Sequence, residues 1–249
     1  MKNKIVALIT STTLFLSSCS SLYMPNVPNT PLFTQNDELY ASANVSLKGN
    51  LSLNTAYALG NNFAVMANAS YIKKNKEKKD FEQSMLEAGV GYFTTFGPSN
   101  NRIFEIYGGY GRGDSYRVLS DLTYDGPIPR ESQDITFDKY FVQVDYSSKR
   151  KSSLKLSSKR FPLSYGTALR ISYVTMDDLK MTGVTPIKED NIFIEPIFFT
   201  RMRLDDNFQL QYTSGSNFGL KNRKYLTAGN SVFTLGIVYN LGGKNSVKK

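Results

Sequence analysis

The chain has 249 residues, a net charge of +9, 16 Tyr and 16 Phe but no Trp, no His and one Cys. The absence of His excludes Ser-His-Asp and Cys-His nucleophilic chemistry and imidazole metal sites, and one Cys excludes an internal disulfide framework. In chain order, the first element is MKNKIVALITSTTLFLSS, residues 1–18. Lys2 and Lys4 give a positive start, Ile5 to Leu16 an apolar core too short for a spanning helix, and Ser17 and Ser18 a small-residue exit. That order reads as a secretory signal peptide ending before Cys19.

Leu16-Ser17-Ser18-Cys19 resembles the lipobox of bacterial lipoproteins. The resemblance implies that Cys19 carries a diacylglycerol and an N-acyl lipid and becomes the first mature residue, a multi-chain anchor and the one covalent group expected. Ser20 in place of Asp after the cysteine, and no acidic cluster beyond it, imply the outer membrane, with the amino terminus on the periplasmic side. Residues 19–37 (CSSLYMPNVPNTPLFTQND) are rich in Pro and Asn and have no hydrophobic period, and so read as a lipidated tether.

From Glu38 the chain alternates in twos. FAVMANASY sets Phe63, Val65, Ala67, Ala69 and Tyr71 against Ala64, Met66, Asn68 and Ser70; KYFVQVDY sets Tyr140, Val142, Val144 and Tyr146 against Phe141, Gln143 and Asp145. Such segments are strands with one apolar face and one polar or small face. Ten are expected, near 38–47, 50–59, 63–73, 84–96, 102–112, 136–147, 164–175, 191–203, 207–214 and 231–241, with eight or twelve as alternatives. Tight turns at 60–62, 97–101 and 204–207 face longer loops after strands three, five, seven and nine, the pattern of an all-β, antiparallel, up-and-down transmembrane barrel. The segment 147–164 breaks that pattern, as extensions of its neighbouring strands or as a hairpin of its own. The barrel is expected over 38–241, with a basic tail at 242–249.

The inner face of that barrel collects Gly, Ala and Ser with Glu87, Glu105, Asp145, Arg170, Glu195 and Arg201, an expected charge network in a narrow lumen. Thr234, Gly236, Tyr239 and Leu241 fit the spacing of the carboxy-terminal signal read by the barrel-assembly machinery, although GGKNSVKK follows Leu241. With the lipobox, the chain resembles a lipid-anchored outer-membrane β-barrel of Gram-negative bacteria. The resemblance implies the lipoprotein-sorting and barrel-assembly machineries, outer-membrane lipid and lipopolysaccharide as partners. Basic runs at 73–79 and 221–224 suit an anionic surface, at about 1 kcal/mol per residue, or simply keep loops solvated. Nucleic acid does not fit a secreted lipoprotein.

No catalytic or metal-binding set emerges. Asp177-Asp178, Glu189-Asp190 and Asp205-Asp206 read as solvated loop and turn acids. GGYGRGDSY at 108–116 lacks the Lys-Ser/Thr ending of a phosphate loop, and its glycines suit a crowded wall. The expected function is non-enzymatic, structural or binding, with a largely plugged lumen. Two alternatives stand: a narrow pore, or a soluble periplasmic all-β lipoprotein holding an apolar ligand.

Overall fold

The computed structural model describes residues 21–60, 62–124, 126–157, 159–183, 187–227 and 231–242. Strands β1 (Leu39–Ser46), β2 (Leu51–Gly60), β3 (Phe63–Lys74), β4 (Lys79–Phe96), β5 (Arg102–Thr123), β6 (Gly126–Leu156), β7 (Lys159–Met181), β8 (Asp190–Arg203), β9 (Phe208–Ser216), β10 (Phe218–Gly219) and β11 (Ser231–Leu241) follow in chain order. From β1 to β9 each strand pairs antiparallel with the next in the chain, β9–β11 and β11–β1 close the ring, and β10 pairs with β8. The two residues of β10 continue β9 along β8 in the same register, Ile197 facing Gly215 and Ile194 facing Phe218, so they count as one strand broken at Asn217. The architecture is a closed, ten-stranded antiparallel β-barrel. Pro98–Asn100 is a 3-10 turn.

Alternation places apolar side chains on the outer face, the reverse of a soluble barrel, and sends polar and charged side chains inward together with aromatics such as Phe137 and Phe141. On β6, Tyr140, Val142, Val144 and Tyr146 face outward, flanked by Asp138 and Ser148. On β7, Tyr165, Thr167, Leu169, Ile171 and Tyr173 do the same. Tyr165 to Tyr173 covers about 26 Å at ~3.3 Å per residue, close to the ~25 Å apolar band of outer-membrane barrels with an aromatic girdle at each edge. Above that band the outer face turns ionic: Arg112 pairs with Asp138 (3.3 Å) and Asp177 (2.7 Å), joining β5, β6 and β7.

Two expected loops are corrected. The connection after β3 is only 75–78, because β4 starts at Lys79, and β5 and β6 pair out to Thr123 and Gly126. Beyond the apolar band the outer face is polar, as in Lys73–Glu82 (3.1 Å), so the apolar alternation fades while the ladder continues. Lys73, Lys74 and Lys79 of the basic run therefore lie on strands. At the opposite end 147–164 extends both β6 and β7, Leu156 facing Lys159. The longer connections, after Met181 and after Gly219, lie at one end of the barrel; the connections after Gly60, Phe96 and Arg203 lie at the other.

Inward aromatics lie flat across glycines of the next strand. A Cβ on Gly109 would sit 2.4 Å from Phe141 Cζ and from the Ala88 carbonyl oxygen, and one on Gly113 2.6 Å from Phe137 Cζ. Gly109→Val is expected to prevent formation of the compact, heat-modifiable species on gels. Gly108→Ala, whose Cβ would meet only the Phe141 carbonyl at 3.9 Å, is expected to leave it intact.

Candidate functional site

The lumen contains the chain's own amino-terminal segment. Residues 21–34, part of the segment 19–37 expected as a tether, run inside the barrel without regular secondary structure; Leu22, Tyr23, Val27, Asn29, Thr30 and Phe33 are buried. The physical reason is in MPNVPNTP. Pro25, Pro28 and Pro31 recur every third residue, and each removes a backbone donor and fixes φ, so the segment cannot add a strand to the sheet. Wall side chains take the place of a neighbouring strand. Gln83 accepts from Met24 N (2.8 Å) and donates to Met24 O (2.7 Å), Asn54 donates to Val27 O (3.3 Å), and Gln143 donates to Asn29 O (2.5 Å). Glu105 accepts from the backbone N–H groups of Leu32 (3.1 Å) and Phe33 (2.7 Å).

The segment's own polar side chains enter the charged part of the wall. Glu87 is the hub: its carboxylate meets Lys139 Nζ (2.9 Å) and Arg170 Nη1 (3.0 Å) and accepts from Asn26 (2.8 Å) and Asn68 (3.0 Å). Lys139 also lies 3.6 Å from Glu195, which accepts from the Tyr23 hydroxyl (2.8 Å) and Ser172 (3.3 Å). Arg170 donates through Nε to Gln143 (2.8 Å), stacks on Phe141 with 4.4 Å to the ring centroid, and reaches Asn26 Oδ1 (3.1 Å). Gln143 in turn donates to Asp145 (2.8 Å). Arg201 donates to Gln211 (2.6 Å), to the Thr30 hydroxyl (2.8 Å) and to the Thr30 carbonyl, between the rings of Phe199 and Tyr40. Buried charges at this density persist only when each is paired and hydrogen-bonded.

All six charged residues expected in the lumen are buried on its wall. Glu87, Arg170 and Glu195 meet in one cluster bridged by Lys139, while Arg201 sits with Thr30 and Glu105 with Leu32 and Phe33. The sequence reading missed Lys139, although its parity matches Phe141, Gln143 and Asp145 on β6. Missed also were Tyr23, Asn26, Asn29 and Thr30; the three-residue recurrence of Tyr23, Asn26 and Asn29 was the available signal. Thr234, Gly236, Tyr239 and Leu241 lie on β11, the closing strand, opposite Ser46, Asn44, Ala41 and Leu39 of β1. A Cβ on Gly236 would fall 2.1 Å from Asn44 Oδ1. Cys19 lies outside the described residues, as do the signal peptide and 243–249.

Packing around the segment is tight. A void beside Met24, Pro25 and Val27, walled by Ser46, Asn50 and Thr234, measures about 10 Å³, room for one water at most. On the outer surface, Leu53, Thr55, Ala67, Ala69, Leu86 and Tyr110 border a shallow apolar groove. No group of three or more Cys, Asp or Glu among the described residues has metal-binding geometry.

No family model and no curated protein matches this sequence. Among solved structures, the chain is similar to the translocator domain of the autotransporter NalP from Neisseria meningitidis, at 12% identity and a TM-score of 0.43, over 81% of this chain and 86% of that one. It is also similar to the β domain of the Bordetella autotransporter BrkA, at 8% identity and a TM-score of 0.31, over 83% and 97%. A third likeness is the pyoverdine outer-membrane receptor FpvA from Pseudomonas aeruginosa, at 12% identity and 0.23, over 86% and 45%.

Proposed function

We propose that this chain is a non-enzymatic lipoprotein of the outer membrane, anchored through acylated Cys19, with a structural or binding role and a lumen closed by its own residues 21–33. The observation that carries the reading is the inward charge cluster around Glu87, which the segment completes through Asn26 and Tyr23. The outward apolar band edged by Tyr side chains supports membrane residence and counts against the soluble-cup alternative, whose outer face would be polar. The non-enzymatic part rests on the sequence, which offers no His and no second Cys. Outer-membrane lipid and lipopolysaccharide are the expected surroundings, with the sorting and barrel-assembly machineries as transient partners.

Planar-bilayer recording of the purified full chain tests closure. The proposal expects no resolved single-channel steps, and a steady ion-selective conductance would replace it with the narrow-pore alternative. Anchoring is tested separately. Cys19→Ala is expected to abolish incorporation of a palmitate analogue while the strands still assemble, since no described contact depends on the lipid. Label persisting in that variant would sink the lipoprotein reading.

A further inference from the structure

The segment inside the lumen has a direction. Leu22 N donates to the carbonyl of Tyr225 (2.8 Å), in the connection after Gly219, and Tyr225 N donates to Glu189 (2.9 Å), in the connection after Met181. Both belong to the end with the long connections. Met24 then meets Gln83, Asn26 meets Glu87, and Phe33 meets Glu105, a steady descent along β4 and β5 toward 97–101. At the bottom, Asp37 N donates to Ala58 O (3.0 Å) and Gln35 donates to Gly242 O (2.7 Å), beside the start of β1 and the end of β11. Although β1 begins at the short-turn end, Ser21 lies at the opposite one.

This arrangement constrains where residue 19 can be. Two residues reach at most about 7 Å, whereas the apolar band is about 25 Å high. Residue 19 therefore cannot rest in the leaflet at the short-turn end while 21–33 fill the lumen. Short turns face the periplasm and long connections the exterior in barrels of this kind. We propose that the chain is threaded outward through its own barrel, so that its amino-terminal end, with the lipid on Cys19, emerges on the exterior face and is held in the outer leaflet. This reverses the periplasmic placement expected from the residues after Cys19, and it rests on the outer-membrane lipoprotein reading above. The exit is basic, as suits an anionic lipid surface: Lys221 and Arg223 both pair with Asp190, Lys224 lies next to them in the connection that holds Leu22, and Lys48 lies in the turn after β1. Because residues 21–33 precede β1, closure of the β11–β1 seam around them produces this arrangement without pulling a folded segment through a finished pore.

The test places an epitope tag between Ser20 and Ser21, with a control tag after Lys249, and compares antibody binding to intact and permeabilised cells. Outward threading is expected to give the amino-terminal tag equal signal in both, and the carboxy-terminal tag signal only after permeabilisation. An amino-terminal tag that appears only after permeabilisation overturns the proposal. Should the insertion block the heat-modifiable form, Ser20→Cys labelled by a membrane-impermeant maleimide on intact cells reads the same face, and protection from it is equally contrary. Palmitate-analogue labelling of the same chains separates the two claims. An exterior tag without lipid removes the lipoprotein reading and leaves the threading; lipid with an interior tag does the reverse.

Discussion

Glu87→Ala is expected to destabilise the barrel by about 3–5 kcal/mol, the range for removing one partner of a buried ion pair. Glu87 is the acid that Lys139 and Arg170 share, at 2.9 and 3.0 Å, and all three side chains are fully buried. Without it two buried cations on the neighbouring strands β6 and β7 are left with Glu195 as the remaining neighbouring acid, and Asn26 and Asn68 lose their acceptor. Arg170→Ala is expected to act in the same direction with a smaller effect, because Lys139 still neutralises Glu87. Lys78→Ala, in the exposed turn after β3, is expected to change stability by well under about 1 kcal/mol. Urea unfolding in detergent, followed by gel mobility, measures all three. Equal, negligible effects would mean that the cluster is wet and loosely held.

Deleting residues 21–33 is expected to convert a silent barrel into a conducting one. The deletion removes Leu22, Tyr23, Val27 and Phe33 from the interior, together with the groups that satisfy Glu105, Arg201 and Glu195. The β-ladders do not run through the segment, so the ring should still close and remain heat-modifiable, with lowered thermal stability. The exposed lumen would present Glu87, Glu105, Asp145 and Glu195 against Lys139, Arg170 and Arg201. Single-channel recording of the deletion beside the full chain measures the effect. Equal, absent conductance in both would show that the wall side chains collapse and close the lumen unaided.

The strands were legible because lipid-facing and lumen-facing residues alternate with period two, and inside that band the parity also assigned the inward charges. Legibility stopped where the outer face turned polar. The continuations of β4, β5 and β6 carry Glu82, Asp114 and Asp134 outward, so a search for apolar alternation reads them as loops although the ladder persists. Lys139 was hidden differently, since its neighbour Asp138 faces out and the pair looks like a solvated strand end. The segment 21–37 was the least legible. Three prolines and two asparagines among 25–31 carry neither a strand nor a helix period, so composition alone says linker. Its burial depends on partners 61 and 172 positions away, Glu87 for Asn26 and Glu195 for Tyr23, and no local pattern records those.

Occupancy of the lumen by the chain's own segment is tested most directly by a cross-link between segment and wall. Asn29 donates to the Asn68 side chain at 2.8 Å, so the pair Asn29→Cys and Asn68→Cys, in a Cys19→Ser background, places two thiols on facing side chains inside the barrel. The expected result is an intramolecular cross-link with a short bifunctional thiol reagent in the folded, heat-modifiable form, insensitive to protein concentration and absent from either single variant. Failure to cross-link, with both thiols reacting freely with a bulky maleimide in the folded barrel, would place 21–34 outside the lumen and contradict the account.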